Sequence, residues 1–189
     1  MAGYPLMRPI VPDPYPGDFD EVTEFTYETR LVLAREPEAL EDAARAKISY
    51  IVDEDYTVSY RIDGVHTFLT VPRGMLTDLA SVPALARPVI GQVGPHLEAS
   101  IVHDYLYVAW QLLDGREARN EDYRFANEIM YAGMRAADAS WFQRRAVKIA
   151  FGIPGISWKV YQGRDDGPQG KSLFVDLTGG AGIGNTNVA

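Results

Sequence analysis

Polar and apolar residues alternate most cleanly over 56–72, YTVSYRIDGVHTFLTVP, where Tyr56, Val58, Tyr60 and Ile62 fall on one face of a strand. Asp63-Gly64 stands between two such runs, and this pair suits a tight turn whose central residues both need positive φ, so a β-hairpin is predicted. Upstream, FTYETRLVLA (25–34) reads as a strand, and PEALEDAARAKISYIV (37–52) as a short helix that opens on Pro37 and ends in β-branched residues. Downstream, RGMLTDLASVPALARPVIG (73–91) is broken by Gly74, Pro83 and Pro88 and reads as a loop leading into a short helical piece. The period then changes. Over 95–113, Leu97, Ile101, Tyr105, Val108 and Leu112 recur at spacings of three and four, an amphipathic helix that stops at Asp114-Gly115. A second helix is predicted over 119–136, with Asn120 as its cap and Phe125, Ile129 and Met130 toward a core. A third runs from Ser140 to Gly152, before Pro154, with Trp141, Val147 and Phe151 on its buried side.

These elements predict an α+β fold in which a β-hairpin or small antiparallel sheet packs on about three helices. The ends differ in kind. Residues 1–19 carry Pro5, Pro9, Pro12, Pro14 and Pro16 among Tyr4, Tyr15 and Phe19, which extends the backbone and predicts an arm lying on a surface. Residues 163–189 pass from a turn-rich linker through KSLFVDL, a short strand, to a glycine-rich tail. The expected organisation is therefore an N-terminal arm with a strand and short helix (1–50), a core domain (51–162), and a C-terminal linker and tail (163–189).

Composition narrows the partners. The chain has 189 residues, 47% hydrophobic, which suits one domain with a sizeable core, and its formal net charge of −8 argues against nucleic acid or an anionic membrane. No cysteine is present, which removes disulfides, thiolate metal sites and a cysteine nucleophile. No apolar run reaches the length of a membrane span and the N-terminus does not read as a signal peptide, so neither secretion by that route nor a membrane span is expected.

The polar residues that could carry chemistry are Thr77, Asp78, Ser81, His103, Asp104 and Asp122. Catalytic candidates are His103, Asp78, Asp104 and Ser81, and metal-ligand candidates are His103, Asp78 and Asp122. An imidazole beside carboxylates can hold a divalent metal or act as a general base, which would make the chain a metal-dependent hydrolase on cell-wall or nucleotide material. His103 and Asp104 are neighbours on a helix, so their side chains diverge by about 100°. A serine-nucleophile arrangement through Ser81 lacks the glycine-flanked elbow, and the GGAGIG of the tail lacks a following helix to cradle phosphate. The alternative is structural. Asp78 and Ser81 would cap the helical piece that follows them, His103 would be a hydrogen-bonded core histidine with Asp78 as its partner, and Asp122 would answer a helix dipole. Trp110, Trp141, Trp158 and Tyr161 read as core and rim packing.

The two densest polar stretches also carry a resemblance. Val71, Pro72 and Gly74, then Thr77, Asp78, Ala80, Ser81 and Pro83, then His103, Asp104 and Tyr107, then Asp122, Phe125 and Met130 resemble the pattern of phage and prophage proteins grouped as domain of unknown function 1353. The resemblance covers about residues 55–160; Ala84 stands where an arginine is usual, and Glu121 where a small residue is. It implies a phage or prophage product with no established activity. A non-enzymatic virion or assembly protein is the leading expectation, made in the host bacterial cytoplasm, carried in the virion and needing no cofactor. Its partners would be other phage structural proteins or copies of itself.

Overall fold

The computed structural model describes residues 7–34, 50–77, 94–152 and 157–162 together with Phe174 and Leu177. Among the described residues there are six strands: β1 (Val22–Tyr27), β2 (Leu33–Ala34), β3 (Tyr50–Val52), β4 (Tyr56–Ile62), β5 (Val65–Val71) and β6 (Leu76–Thr77). Helices α1 (Leu97–Ala109), α2 (Asn120–Ala136), α3 (Trp141–Phe151) and α4 (Ser157–Tyr161) follow, with a 3-10 turn at Trp110–Leu112. This is an α+β fold of two antiparallel three-stranded sheets, ordered β1-β4-β5 and β2-β3-β6, packed with the helices. Among the described residues, no helix is long and apolar enough to cross a membrane.

The hairpin forms as its alternation predicts. β4 and β5 pair from Ile62↔Val65 to Tyr56↔Val71, and the turn residues Asp63 (φ 49°) and Gly64 (φ 79°) both take positive φ. Tyr56, Val58 and Tyr60 are buried. The Asp63 carboxylate also accepts the backbone N–H groups of Asp20 (2.9 Å) and Glu21 (3.0 Å), so the turn pins the preceding segment. That segment is built into the domain: β1 adds to the free edge of β4, and Tyr15, Phe19, Val22 and Phe25 join one apolar cluster with Tyr60, Ile101, Leu106 and Phe125. The Phe19 and Phe125 rings meet edge to face at 5.6 Å. Through Tyr15 and Phe19 the described part of the proline-rich segment packs on the core of its own chain.

The helices begin and end close to where the pattern places them, with two differences. Asn120 is the first helical residue of α2, with Arg119 before it in extended backbone and making no side-chain cap. Trp141 is 61% exposed, whereas Val147 and Phe151 are buried as expected. A capping box explains the start of α3, since Ser140 Oγ accepts the Gln143 N–H and Gln143 accepts the Ser140 N–H. Because Ser140 fixes that phase, Trp141 falls on the outer side of the first turn. The short helix α4 was not foreseen. Of the helix predicted over 37–52, residues 37–49 lie outside the described residues, but its β-branched end is strand β3 (Tyr50–Val52), and Leu76–Thr77 of the predicted loop is strand β6; the loop with Asp78 and Ser81, the piece after it and most of 163–189 lie outside the described residues.

α2 runs along β1 and α1 at close range. Tyr27 Oη donates to Gly133 O at 2.9 Å and Arg135 donates to Val22 O at 3.3 Å. A Cβ at Gly133 would stand 2.8 Å from Ala99 Cβ and 3.0 Å from Tyr27 Oη, so the helices meet at the separation a glycine permits. Gly133→Ala is expected to cost about 1–3 kcal/mol by forcing α1 and α2 apart, measured as a lowered urea midpoint.

Candidate functional site

The His-Asp pair of α1 sits where the helix meets both α2 and the second sheet, and its two side chains diverge as adjacent helical positions must. His103 turns into the core. Its Nε2 donates to Asn127 Oδ1 on α2 at 3.1 Å, and Tyr107 Oη donates to the same oxygen at 3.1 Å. The imidazole stacks on Phe151 of α3 at 4.7 Å between centroids and 14° between planes, with Tyr107 tilted against it at 4.0 Å. Around this lies an aromatic wall in which Tyr107, Tyr123, Trp158 and Tyr161 meet at 5.2–5.9 Å, while the Trp110 indole donates to Tyr107 O and Tyr161 O.

Asp104 turns the other way, toward β6. Thr77 Oγ1 donates to Asp104 Oδ2 at 3.2 Å, which joins the first polar stretch of the sequence to the second across 27 residues. Thr77 is buried and Asp104 half-buried. Pairing of β6 with β3, Tyr50↔Thr77 and Ile51↔Leu76, holds the threonine in place.

Asp122 is buried, and it belongs to a different cluster. Arg116 reaches it with two nitrogens, Nε to Oδ2 at 3.1 Å and Nη2 to both carboxylate oxygens at 2.8 Å, and also pairs with Asp13. Its guanidinium lies 5.0 Å from the Tyr15 ring centroid. Burial raises the Asp122 carboxyl, and the guanidinium pulls it back. The dipole of α2 is thus a smaller part of why an acid stands there than the arginine six residues before it.

The structure therefore brings together Thr77 with Asp104, and His103 with Tyr107 and Asn127, and puts Asp122 with Arg116 and Asp13. Asp78 and Ser81 lie outside the described residues, so the expected His103–Asp78 pair is not among the contacts described. Among the described residues no three His, Asp or Glu side chains converge as a metal-binding group. Asn127 and Arg116 were missed by reading the sequence alone. The one signal for Asn127 was a polar residue inside the apolar stripe of α2, between Phe125 and Ile129.

The imidazole is electrostatically specified. Full burial lowers the His103 pKa to about 4, with the Asn127 bond opposing, so the ring is neutral at physiological pH. With Nε2–H given to Asn127, the lone pair lies on Nδ1, which is buried and has no hydrogen-bond partner among the described residues. Such an atom costs about 1–3 kcal/mol and is chemically competent as a base or ligand.

The family described as Protein of unknown function (DUF1353) matches residues 50–150, more than half of the chain, and the chain belongs to that family. The match spans β3 to α3 and so includes Thr77, His103, Asp104, Asp122 and Asn127. No curated protein matches the chain, and neither does any solved structure.

Two outcomes follow from these contacts. A histidine whose folded pKa lies below its unfolded value contributes stability that is complete above the unfolded pKa of about 6.5 and is lost as pH falls toward the folded value. With the folded value at about 4, the loss between pH 7 and pH 4 is on the order of 3 kcal/mol. His103→Gln, which keeps a donor for Asn127, should flatten that pH dependence in urea titrations. Asp122→Asn should cost about 3 kcal/mol at neutral pH by leaving Arg116 half-paired, read as a fall in thermal midpoint.

Proposed function

We propose that the chain is a phage virion or assembly protein that works through protein–protein contacts, made in the host bacterial cytoplasm and carried in the particle. The observation that carries this reading is the fate of His103. Its ring is fully buried, stacked on Phe151 and bonded to Asn127, so the most reactive-looking side chain of the family segment is spent on joining α1, α2 and α3. Thr77 and Asp104 are used likewise, to join β6 to α1. Surface features point outward instead: Trp141, Phe142 and Ile149 stand exposed on α3, as contact residues of an assembling subunit would. Its partners are other phage structural proteins or further copies of the chain.

A metal-dependent hydrolase is the second reading, and one observation favours it. The lone pair on His103 Nδ1, without a partner among the described residues, is the kind of site that a divalent ion or a substrate proton would occupy. Under this reading the substrate is cell-wall or nucleotide material.

The readings separate on one variant. If the assembly reading holds, the purified protein carries no stoichiometric zinc or manganese by elemental analysis, and His103→Ala is strongly destabilised, by about 2–4 kcal/mol. Bound metal that His103→Ala loses while keeping its circular dichroism and thermal midpoint would favour the hydrolase. Absence of the protein from virions of the source phage by mass spectrometry would defeat the assembly reading directly.

A further inference from the structure

The outer face of α3 is unlike the rest of the molecule. Trp141 (61% exposed), Phe142 (71%) and Ile149 (58%) are apolar and uncovered, and the two aromatic rings meet edge to face at 5.0 Å, so they project as one knob. One and two turns on, Arg145 and Lys148 are also exposed, and α3 contains no acidic residue. In a chain of net charge −8 this is a concentrated patch of positive charge around an aromatic projection.

A complementary feature lies at the other end of α2. A cleft of about 570 Å³ opens between the first turn of α2, the hairpin turn and residues 18–20. Its lining holds four carboxylates, Asp18, Asp20, Asp63 and Glu121, against a single cation, Arg124. Arg124 is already engaged, donating to Phe19 O and lying over the Phe19 ring at 4.1 Å, so its charge is turned toward the floor. The cleft thus presents four carboxylates around an Arg124 guanidinium that covers the buried Phe19 ring.

One molecule cannot bring the two together. Asn120, Glu121 and Arg124 line the cleft from the start of α2, whereas Trp141 and Phe142 begin α3 just beyond the end of α2. α2 has 17 residues and so is roughly 24 Å long. α3 then doubles back, Tyr123 Oη donating to Phe151 O at 3.0 Å, which leaves its first turn as the part farthest from the cleft.

We propose that the α3 face is a docking surface for a second copy of this chain, the Trp141–Phe142 knob and the Arg145 and Lys148 cations of one copy seating in the acidic cleft of the next. The contact joins two different surfaces, so each copy keeps one free knob and one free cleft, and repetition gives a ring where the rotation closes or a filament where it does not. This rests on the assembly reading above and names the partner within it.

The test is sedimentation velocity of the full chain over a concentration series, with Trp141 emission followed alongside. The expected result is concentration-dependent association that high salt reverses, with a blue shift of Trp141 emission on association. Arg145→Glu with Lys148→Glu, Trp141→Ala with Phe142→Ala, and Asp18→Lys with Asp20→Lys should each lose association while retaining the native circular dichroism and thermal midpoint. Mixing the first and third of these variants should restore it, because each supplies the face the other lacks. A chain that stays monomeric throughout, association untouched by the substitutions, or a Trp141 shift produced by anionic phospholipid vesicles and not by concentration would overturn the proposal. Any of these could occur with the protein still present in virions, so failure of this contact is distinguishable from failure of the assembly reading.

Discussion

One oxygen atom orders the centre of this protein. Asn127 Oδ1 accepts from both His103 and Tyr107, and the rest of the helical layer is arranged so that it can. α1 is buried at most of its positions, including Ser100 and His103, and a polar group inside a core has to be answered or it costs more than the packing returns. Answering two donors on α1 with one acceptor on α2 fixes the rotation of each helix about its axis. Phe151 closes the third side by stacking on the imidazole, which brings α3 into the same arrangement. Apolar contacts alone would tolerate some sliding; a shared hydrogen-bond acceptor does not.

Charge is distributed by a different rule. Arg116, between Asp122 and Asp13, places one cation between two anions at the edge of the core, and its hydrogen-bonding capacity is largely consumed there. Among the described residues Asp122 is the one fully buried acid, and a strongly negative chain still carries a face such as that of α3. Net charge describes the average of a surface, and recognition depends on its local departures from that average.

The hairpin, the three long helices and the α+β class were legible because each rests on a local rule: period, turn chemistry or capping. The wrong side chosen for Trp141 shows where such rules end. Its spacing fits either face of an amphipathic helix, and only the phase set by the Ser140 cap and the seat of Val147 decides which one is inside. The contacts of His103 and Asp122 were not foreseen, since Asn127 and Arg116 carry no motif and are defined by geometry alone. Proline content suggested an extended start, and the described residues 7–21 form neither helix nor strand. It could not say that Tyr15 and Phe19 were hydrophobic enough to be drawn into the core of their own chain.

Tyr15 carries a consequence for the order of events in making the protein. Its hydroxyl donates to Leu106 O and accepts the Trp110 N–H at 3.1 Å, so it closes the C-terminal end of α1 from 91 residues upstream. During synthesis the tyrosine emerges long before the helix that receives it, and β1 likewise waits for β4. The Tyr15 hydroxyl has no partner until the C-terminal end of α1 has left the ribosome. Closure across such separations is slow compared with forming a hairpin or a helix, which places the docking of Tyr15 after those local elements.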